Sequence, residues 1–241
     1  MLILPAIDII DGKPVRLYQG DYARKEVVGQ SVLEIAKTFE QEGAQFIHMV
    51  DLDGAKSGNK ENAKLICQVA QEIPIPVEVG GGIRTLKDIQ MYLEAGIARV
   101  ILGTVALSDP DLLKEAVQQY SNQIAVGIDC KEGKVCGSGW LSTSTIDYLD
   151  FAKEMEEIGV QTIIFTDISK DGTLDGPNLE MLKKLKETVS IQIIASGGIK
   201  DLSHIKALKE LGVYGAITGK AMYAHTLDLK EAIQEGKRSS C

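Results

Sequence analysis

The chain repeats itself. Val79-Gly80-Gly81-Gly82-Ile83-Arg84 returns as Ala195-Ser196-Gly197-Gly198-Ile199-Lys200, 116 positions later, and the same separation relates Gly43 to Gly159, Asp51 to Asp167, Gly96 to Gly212 and Gly103 to Gly219. Four of these pairs lie outside the glycine run, so reuse of one turn does not explain them. Pro5-Ala6-Ile7-Asp8 also returns, as Val126-Gly127-Ile128-Asp129, at a separation of 121 because the loop that follows is longer in the first half. Two copies of one unit, about 1–120 and 121–241, therefore make up the chain.

Each unit reads as alternating strands and helices. Apolar runs at Leu2–Asp8, Phe46–Asp51, Pro76–Val79, Arg99–Leu102, Ile124–Asp129, Thr162–Thr166, Gln192–Ser196 and Gly215–Thr218 have the continuous hydrophobicity of buried parallel strands. Between them lie helical patterns, with start signals at Ser31, at Thr85 ahead of Asp88, and at Asp109-Pro110. The stretch from Lys13 to Ser31 reads as a long polar loop, Asp53–Gly58 as a connection, and Lys131–Trp140 as a hairpin turning at Glu132-Gly133. Eight βα units in matched halves predict one closed (β/α)8 TIM barrel spanning 1–241 as a single domain. A doubly wound open sheet is the alternative, but it would give identical halves unequal edges.

The length of 241 residues and 44% hydrophobic content suit such a core. A net charge of −8 argues against a sequence-blind nucleic-acid surface, while leaving room for a local basic pocket. No run reaches membrane-spanning length, and no leader-like segment precedes the first strand. Cys67, Cys130, Cys136 and Cys241 lack metal-ligand spacing and read as reduced thiols of a cytoplasmic protein.

In an eight-stranded ring, strands one and five stand opposite one another, so Asp8 and Asp129 are expected to face each other across the mouth. The glycine turns follow strands three and seven, with Gly103-Thr104 and Gly219-Lys220 after strands four and eight. Backbone N–H groups at such strand-to-helix turns attract phosphate. Two opposed anion sites, Gly81-Gly82 with Gly103-Thr104 and Gly197-Gly198 with Gly219-Lys220, imply a long substrate with a phosphate at each end and its reacting atoms in the middle. Arg16 lies in the first loop. Asp51 and Asp167 are expected to orient loops rather than to react, and His48 to be a satisfied imidazole that can hydrogen-bond a neighbouring carboxylate. Trp140, in a Gly-Ser-Gly-Trp loop, is expected to stack on a heteroaromatic ring.

Together, Pro-Ala-Ile-Asp at 5–8, Val-Asp-Leu-Asp-Gly-Ala at 50–55, Val-Gly-Gly-Gly-Ile-Arg at 79–84, Gly-Ile-Asp at 127–129, Gly-Trp at 139–140, Thr-Asp-Ile-Ser-Lys-Asp-Gly-Thr at 166–173 and Ala-Ser-Gly-Gly-Ile at 195–199 closely resemble the phosphoribosylformimino-aminoimidazole carboxamide ribotide isomerases of histidine biosynthesis. The resemblance covers essentially the whole chain. It implies an Amadori rearrangement of an aminoaldose to an aminoketose without metal or redox cofactor, on a substrate with two phosphates and an imidazole carboxamide. Carried over by position, it makes Asp129 the general acid toward the ring oxygen and Asp8 the base for the C2′ proton, with Asp171 the rival for the acid or for recognition of the opened sugar. The expected partner is that small molecule alone, without nucleic acid or membrane, and the expected state is a cytoplasmic monomer. An isomerase that also accepts phosphoribosylanthranilate and a non-catalytic phosphosugar-binding barrel are the alternatives. The related cyclase is disfavoured by the Asp-Leu-Asp-Gly-Ala stretch.

Overall fold

The structure is a computed structural model and describes residues 1–237, so Cys241 lies outside the described residues. Eight parallel strands form the barrel: β1 (Leu2–Ile10), β2 (Ile47–Asp51), β3 (Val77–Gly80), β4 (Arg99–Leu102), β5 (Ile124–Lys131), β6 (Thr162–Asp167), β7 (Gln192–Ser196) and β8 (Gly215–Thr218). Each pairs with its sequence neighbours, β8 pairs with β1, and β5 pairs with β6 to complete the ring. The expected (β/α)8 barrel is the observed architecture.

Alternation along β1 shows how the sequence divides between two cores. Ile3, Ile7 and Ile9 face outward into the layer between sheet and helices. Leu4 and Ala6 face inward and meet Ile101, Ala125, Ile164, Ile194 and Ile217 inside the barrel. Side chains on one strand point alternately to opposite faces, so inward residues fill the barrel and the last one on each strand lines its mouth. Asp8 continues that inward series at the C-terminal end of β1.

The helices Val32–Gln41, Ala63–Glu72, Leu86–Glu94, Pro110–Tyr120, Tyr148–Ile158, Leu179–Thr188, Leu202–Leu211 and Leu229–Lys237 follow the strands in turn. Their start signals work as the sequence suggests: Ser31 accepts from Glu34 N, Asp109 from Leu112 N, and Thr85 with Asp88 forms a reciprocal capping box. At the far ends Gly43 and Gly159 adopt φ of +93° and +97°.

Three readings are corrected. The polar loop after β1 is a pair of antiparallel strands, Lys13–Tyr18 and Asp21–Val27, that extends the sheet beyond β1. Its second strand is almost wholly exposed, so hydrophobic alternation could not announce it. Asp53–Gly58 is the greater part of a short helix, Leu52–Ser57, capped by Asp51 and closed by Gly58 at φ +80°. The hairpin after β5 turns at Glu132-Gly133 as expected, but continues through Lys134–Gly137 into a further strand, Ser142–Asp147, and the next helix starts directly after it at Tyr148.

Candidate functional site

Asp8 and Asp129 rise from opposite staves of the ring and line one cavity at the C-terminal mouth. Their surroundings differ. Arg16, on the first strand of the loop-one hairpin, donates from Nη1 to Asp8 Oδ2 at 2.7 Å. Burial works against the Arg16 charge, yet Asp8 and Asp171 outweigh it and raise the guanidinium above its ordinary value. Asp129 lacks such a cation among the described residues. Burial pushes its carboxyl up, against hydrogen bonds from the Trp140 indole and the Thr166 hydroxyl and the nearby His48. Asp171, in the same cavity, is pushed up to about 6, by burial first and then by the Asp8 and Asp129 charges, with Arg16 and Lys220 opposing.

Both glycine turns fall where a strand hands over to a helix, as the sequence predicts. Gly82 and Gly198 have φ of +73° and +80°, which disfavours any side chain. Both also lie against another loop. A Cβ on Gly82 would stand 2.6 Å from Gly54 O, and one on Gly198 would collide with Gly176 O. The turns therefore serve loop packing as well as any bound anion. Gly81, Gly82, Gly103 and Thr104 line the main cavity, while Gly197, Gly198, Gly219 and Lys220 line a smaller one joined to it through Arg16, Asp171 and Ser196. Gly103 and Gly219 begin matched short helices with nearly identical backbone, φ −103° and −107°. The two ends are furnished differently. Thr104 Oγ1 accepts from Ser138 N at 2.8 Å, which ties that end to the loop after β5. Lys220 Nζ donates to Gly172 O at 2.7 Å, and Arg16 lies against Gly219.

Asp51 and Asp167 hold loops, each through the same partner. Asp51 accepts from Gly54 N, Asn62 N and Asn62 Nδ2, and Asp167 accepts from Asn178 Nδ2 and from Ser169. Asn62 and Asn178 stand at equivalent positions of the two halves, as the aspartates do. His48 lines the cavity, and its Nδ1 hydrogen-bonds Glu78 Oε1 at 2.7 Å. Trp140 reaches in from the β5 hairpin loop with φ +70° and lies against Gly20 of loop one, where a Cβ would collide with the indole. Two inserted hairpins thus meet over the mouth.

Several lining residues were not singled out from the sequence. Arg84 reaches across Gly58 into the cavity, and its place directly after the glycine run, opposite Lys200 in the repeat, was the available signal. Thr166, near the end of β6, is in register with Asp129, and Tyr22 lines the cavity while donating to Leu52 O at 2.9 Å. Glu78 and Arg99, inside the barrel, gave no signal, because short strands rarely carry buried charges. Among the described residues no group of side chains is arranged to hold a metal ion, and no helix is long and apolar enough to cross a membrane.

Comparison with known proteins places this geometry. The family model described as histidine biosynthesis protein matches residues 2–228. A protein of Clostridium beijerinckii is 64% identical over 237 residues, covering 98% of this chain and 99% of its own. One from Clostridium botulinum is 61% identical, covering 97% and 98%, and one from Clostridium kluyveri is 56% identical, covering 98% and 99%. All three are named as the phosphoribosyl (phosphoribosylamino)methylideneamino imidazole-4-carboxamide isomerase. The chain belongs to the histidine biosynthesis protein family.

Proposed function

We propose that this member of the histidine biosynthesis family is the aldose–ketose isomerase for which its relatives are named, acting on a substrate with a phosphoribosyl group at each end. The observation that carries the reading is a single mouth with glycine-lined turns on opposite sides and the two carboxyls Asp8 and Asp129 facing between them. The two anion sites hold the phosphates and so bring the middle of the molecule to the carboxyls.

In this reading Asp129, buried and pushed toward its protonated form, gives its proton to the ribose ring oxygen as the C1′–O bond breaks and the adjacent nitrogen forms an iminium. Asp8, oriented by Arg16, takes the proton from C2′ and leaves an enolamine. Return of that proton to C1′, with the C2′ hydroxyl proton passing back to Asp129, yields the ketose and restores both carboxyls. Asp171 faces the opened sugar. Trp140, already against Gly20, covers the heterocycle. Gly81, Gly82, Gly103 and Thr104 serve one side of the substrate, and Gly197, Gly198, Gly219 and Lys220 the other, where Arg16 lies between Asp8 and Gly219. His48, Asp51 and Asp167 support these groups without reacting. A monomeric, cytoplasmic enzyme whose partner is this small molecule alone belongs to the same reading.

Assay of the purified protein with this substrate and with phosphoribosylanthranilate tests it. Turnover of the first is expected. Binding of the bisphosphate without turnover would replace the reading by that of a phosphosugar-binding barrel.

A further inference from the structure

Inside the barrel, three charged or polar side chains stand in one row across adjacent strands. His48 of β2 is in register with Glu78 of β3, and Glu78 with Arg99 of β4. Glu78 is fully buried, at 0% exposure, and uses both oxygens: Oε1 meets His48 Nδ1 at 2.7 Å, and Oε2 accepts from Arg99 Nε at 2.8 Å and from Arg99 Nη2. The Arg99 guanidinium also lies 4.9 Å from the centre of the Phe46 ring. Burial opposes the Glu78 charge, but the hydrogen bond from His48, the charge of that ring when it is protonated, and the Arg99 cation outweigh it and hold the carboxyl below its ordinary range. A carboxylate only accepts hydrogen bonds, so Nδ1 of His48 must carry the proton.

The row ends at the substrate cavity. His48 lines that cavity, whereas Glu78 and Arg99 do not. With Nδ1 turned into the barrel wall, the opposite edge of the ring, including Nε2, is the edge presented to the mouth beside Asp129. Because Arg99 already balances Glu78, the buried row is neutral with a neutral imidazole. Nε2 is then a bare lone pair.

We propose that Glu78, braced by Arg99, is a positioning residue that locks His48 as its Nδ1–H tautomer, so that Nε2 accepts a hydrogen bond from a hydroxyl of the sugar undergoing isomerisation. The inference rests on the isomerase reading for the identity of the sugar, but its tautomer claim stands on the protein alone. An acceptor there would hold a sugar hydroxyl and keep the C1′–C2′ segment between the two aspartates. A fixed tautomer matters because the wrong one would present a donor to that hydroxyl.

The test combines nitrogen NMR of the ring with kinetics. Long-range proton–nitrogen correlation on labelled wild-type protein, with the His48 signal assigned by its loss in His48→Gln, is expected to find the neutral Nδ1–H form. Glu78→Gln is expected to mix the tautomers and lower kcat by about 10- to 100-fold while KM changes by less than about threefold. Because that variant strands Arg99 as a buried cation, Glu78→Gln/Arg99→Met is made beside it to keep the row neutral and folded. His48→Gln, whose amide reaches the Nε2 position, is expected to retain at least about tenfold more kcat than His48→Asn, whose amide sits at Nδ1. A charged imidazole or an Nε2–H tautomer in the wild type overturns the proposal. So does wild-type kcat in the folded double variant, or equal kcat in the two His48 variants. Absence of turnover in the wild type would sink the isomerase reading instead, while the NMR result would still decide the tautomer.

Discussion

The two halves of the ring share a backbone and differ inside it. His48, Glu78 and Arg99 occupy three adjacent strands of the first half, and the positions 116 residues later hold Ile164, Ile194 and Gly215. The register is the same on both sides, since Ile164 pairs with Ile194 and Ile194 with Gly215. Outside the barrel the match persists, in the Asp–Asn pairs that hold loops, the glycine turns and the paired short helices. Shared backbone suits what is alike in the proposed substrate, a phosphate at each end. The divergent interior suits what is unlike, because only one sugar reacts.

The largest test of that division concerns the two carboxyls, which are matched in position but not in surroundings. Asp8→Asn and Asp129→Asn are each expected to lower kcat by about 10²–10⁴-fold in a protein whose circular dichroism and thermal midpoint stay near those of the wild type. Near-normal turnover in either folded variant would remove that residue from the reaction. Asp8→Asn also strips Arg16 of its buried partner, so a modest fall in the midpoint accompanies it.

A smaller effect compares the two ends. Replacing Gly82 or Gly198 by valine is a poor probe, since both positions abut a carbonyl of another loop and the variants would disturb packing first. Arg84→Ala and Lys220→Ala probe the charges instead. Each is expected to raise KM by about 10- to 100-fold, as for loss of a charge-assisted hydrogen bond. Lys220→Ala should be the milder, because Lys220 must first leave Gly172 O to meet a phosphate. Saturation kinetics checks this, and an unchanged KM in both variants would refute the two-ended placement.

How far the sequence disclosed this arrangement depends on whether a feature repeats or alternates. The strands and the glycine turns were legible because buried apolar runs and close backbone approaches restrict residue choice. Arg99–Leu102, Gln192–Ser196 and Gly215–Thr218 fall where the sequence puts them. The inserted strands at 21–27 and 142–147 were not, since they face solvent and carry no apolar period. Asp8 and Asp129 could be paired from strand order alone. Glu78 could not be connected to His48 without the register, because nothing in the sequence fixes which residues of separate strands share a level.

Asp171 gives a pH-dependent comparison between the paired and the unpaired carboxyl. Its folded value of about 6 lies above the ordinary value of about 3.9 for an unfolded aspartate, so the native state binds more protons between those pH values. The stability it contributes is complete below about pH 4 and is lost as pH rises through about 6. Asp171→Asn removes that loss. The variant is expected to gain on the wild type between pH 4.5 and 7.5 by about 1–2 kcal/mol, less than the full shift implies because Arg16 and Lys220 lose a neighbouring charge. Urea titrations at the two pH values measure the gain, and a gain that shrinks as pH rises would contradict the assignment.

The smallest effect isolates local structure from chemistry. Thr85 and Asp201 cap helices at equivalent positions of the two halves, and Asp88 and His204 are equivalent residues one turn into those helices. Each of these reaches back to the residue before its cap: Asp88 Oδ2 accepts from Arg84 N at 3.1 Å, and His204 Nδ1 accepts from Lys200 N at 3.2 Å. Asp88 also accepts from Thr85 N and is gripped by Lys60 at 2.6 Å, which closes a capping box that the second half lacks. Thr85→Ala is therefore expected to cost about 1 kcal/mol and to lower the thermal midpoint by about 2–4 °C. Asp201→Ala, at an exposed site bonded mainly to Ser203, is expected to cost less. Thermal midpoints of the two alanine variants test this: Thr85→Ala should fall further than Asp201→Ala. An equal response in both would mean that the caps, like the backbone around them, are functionally interchangeable.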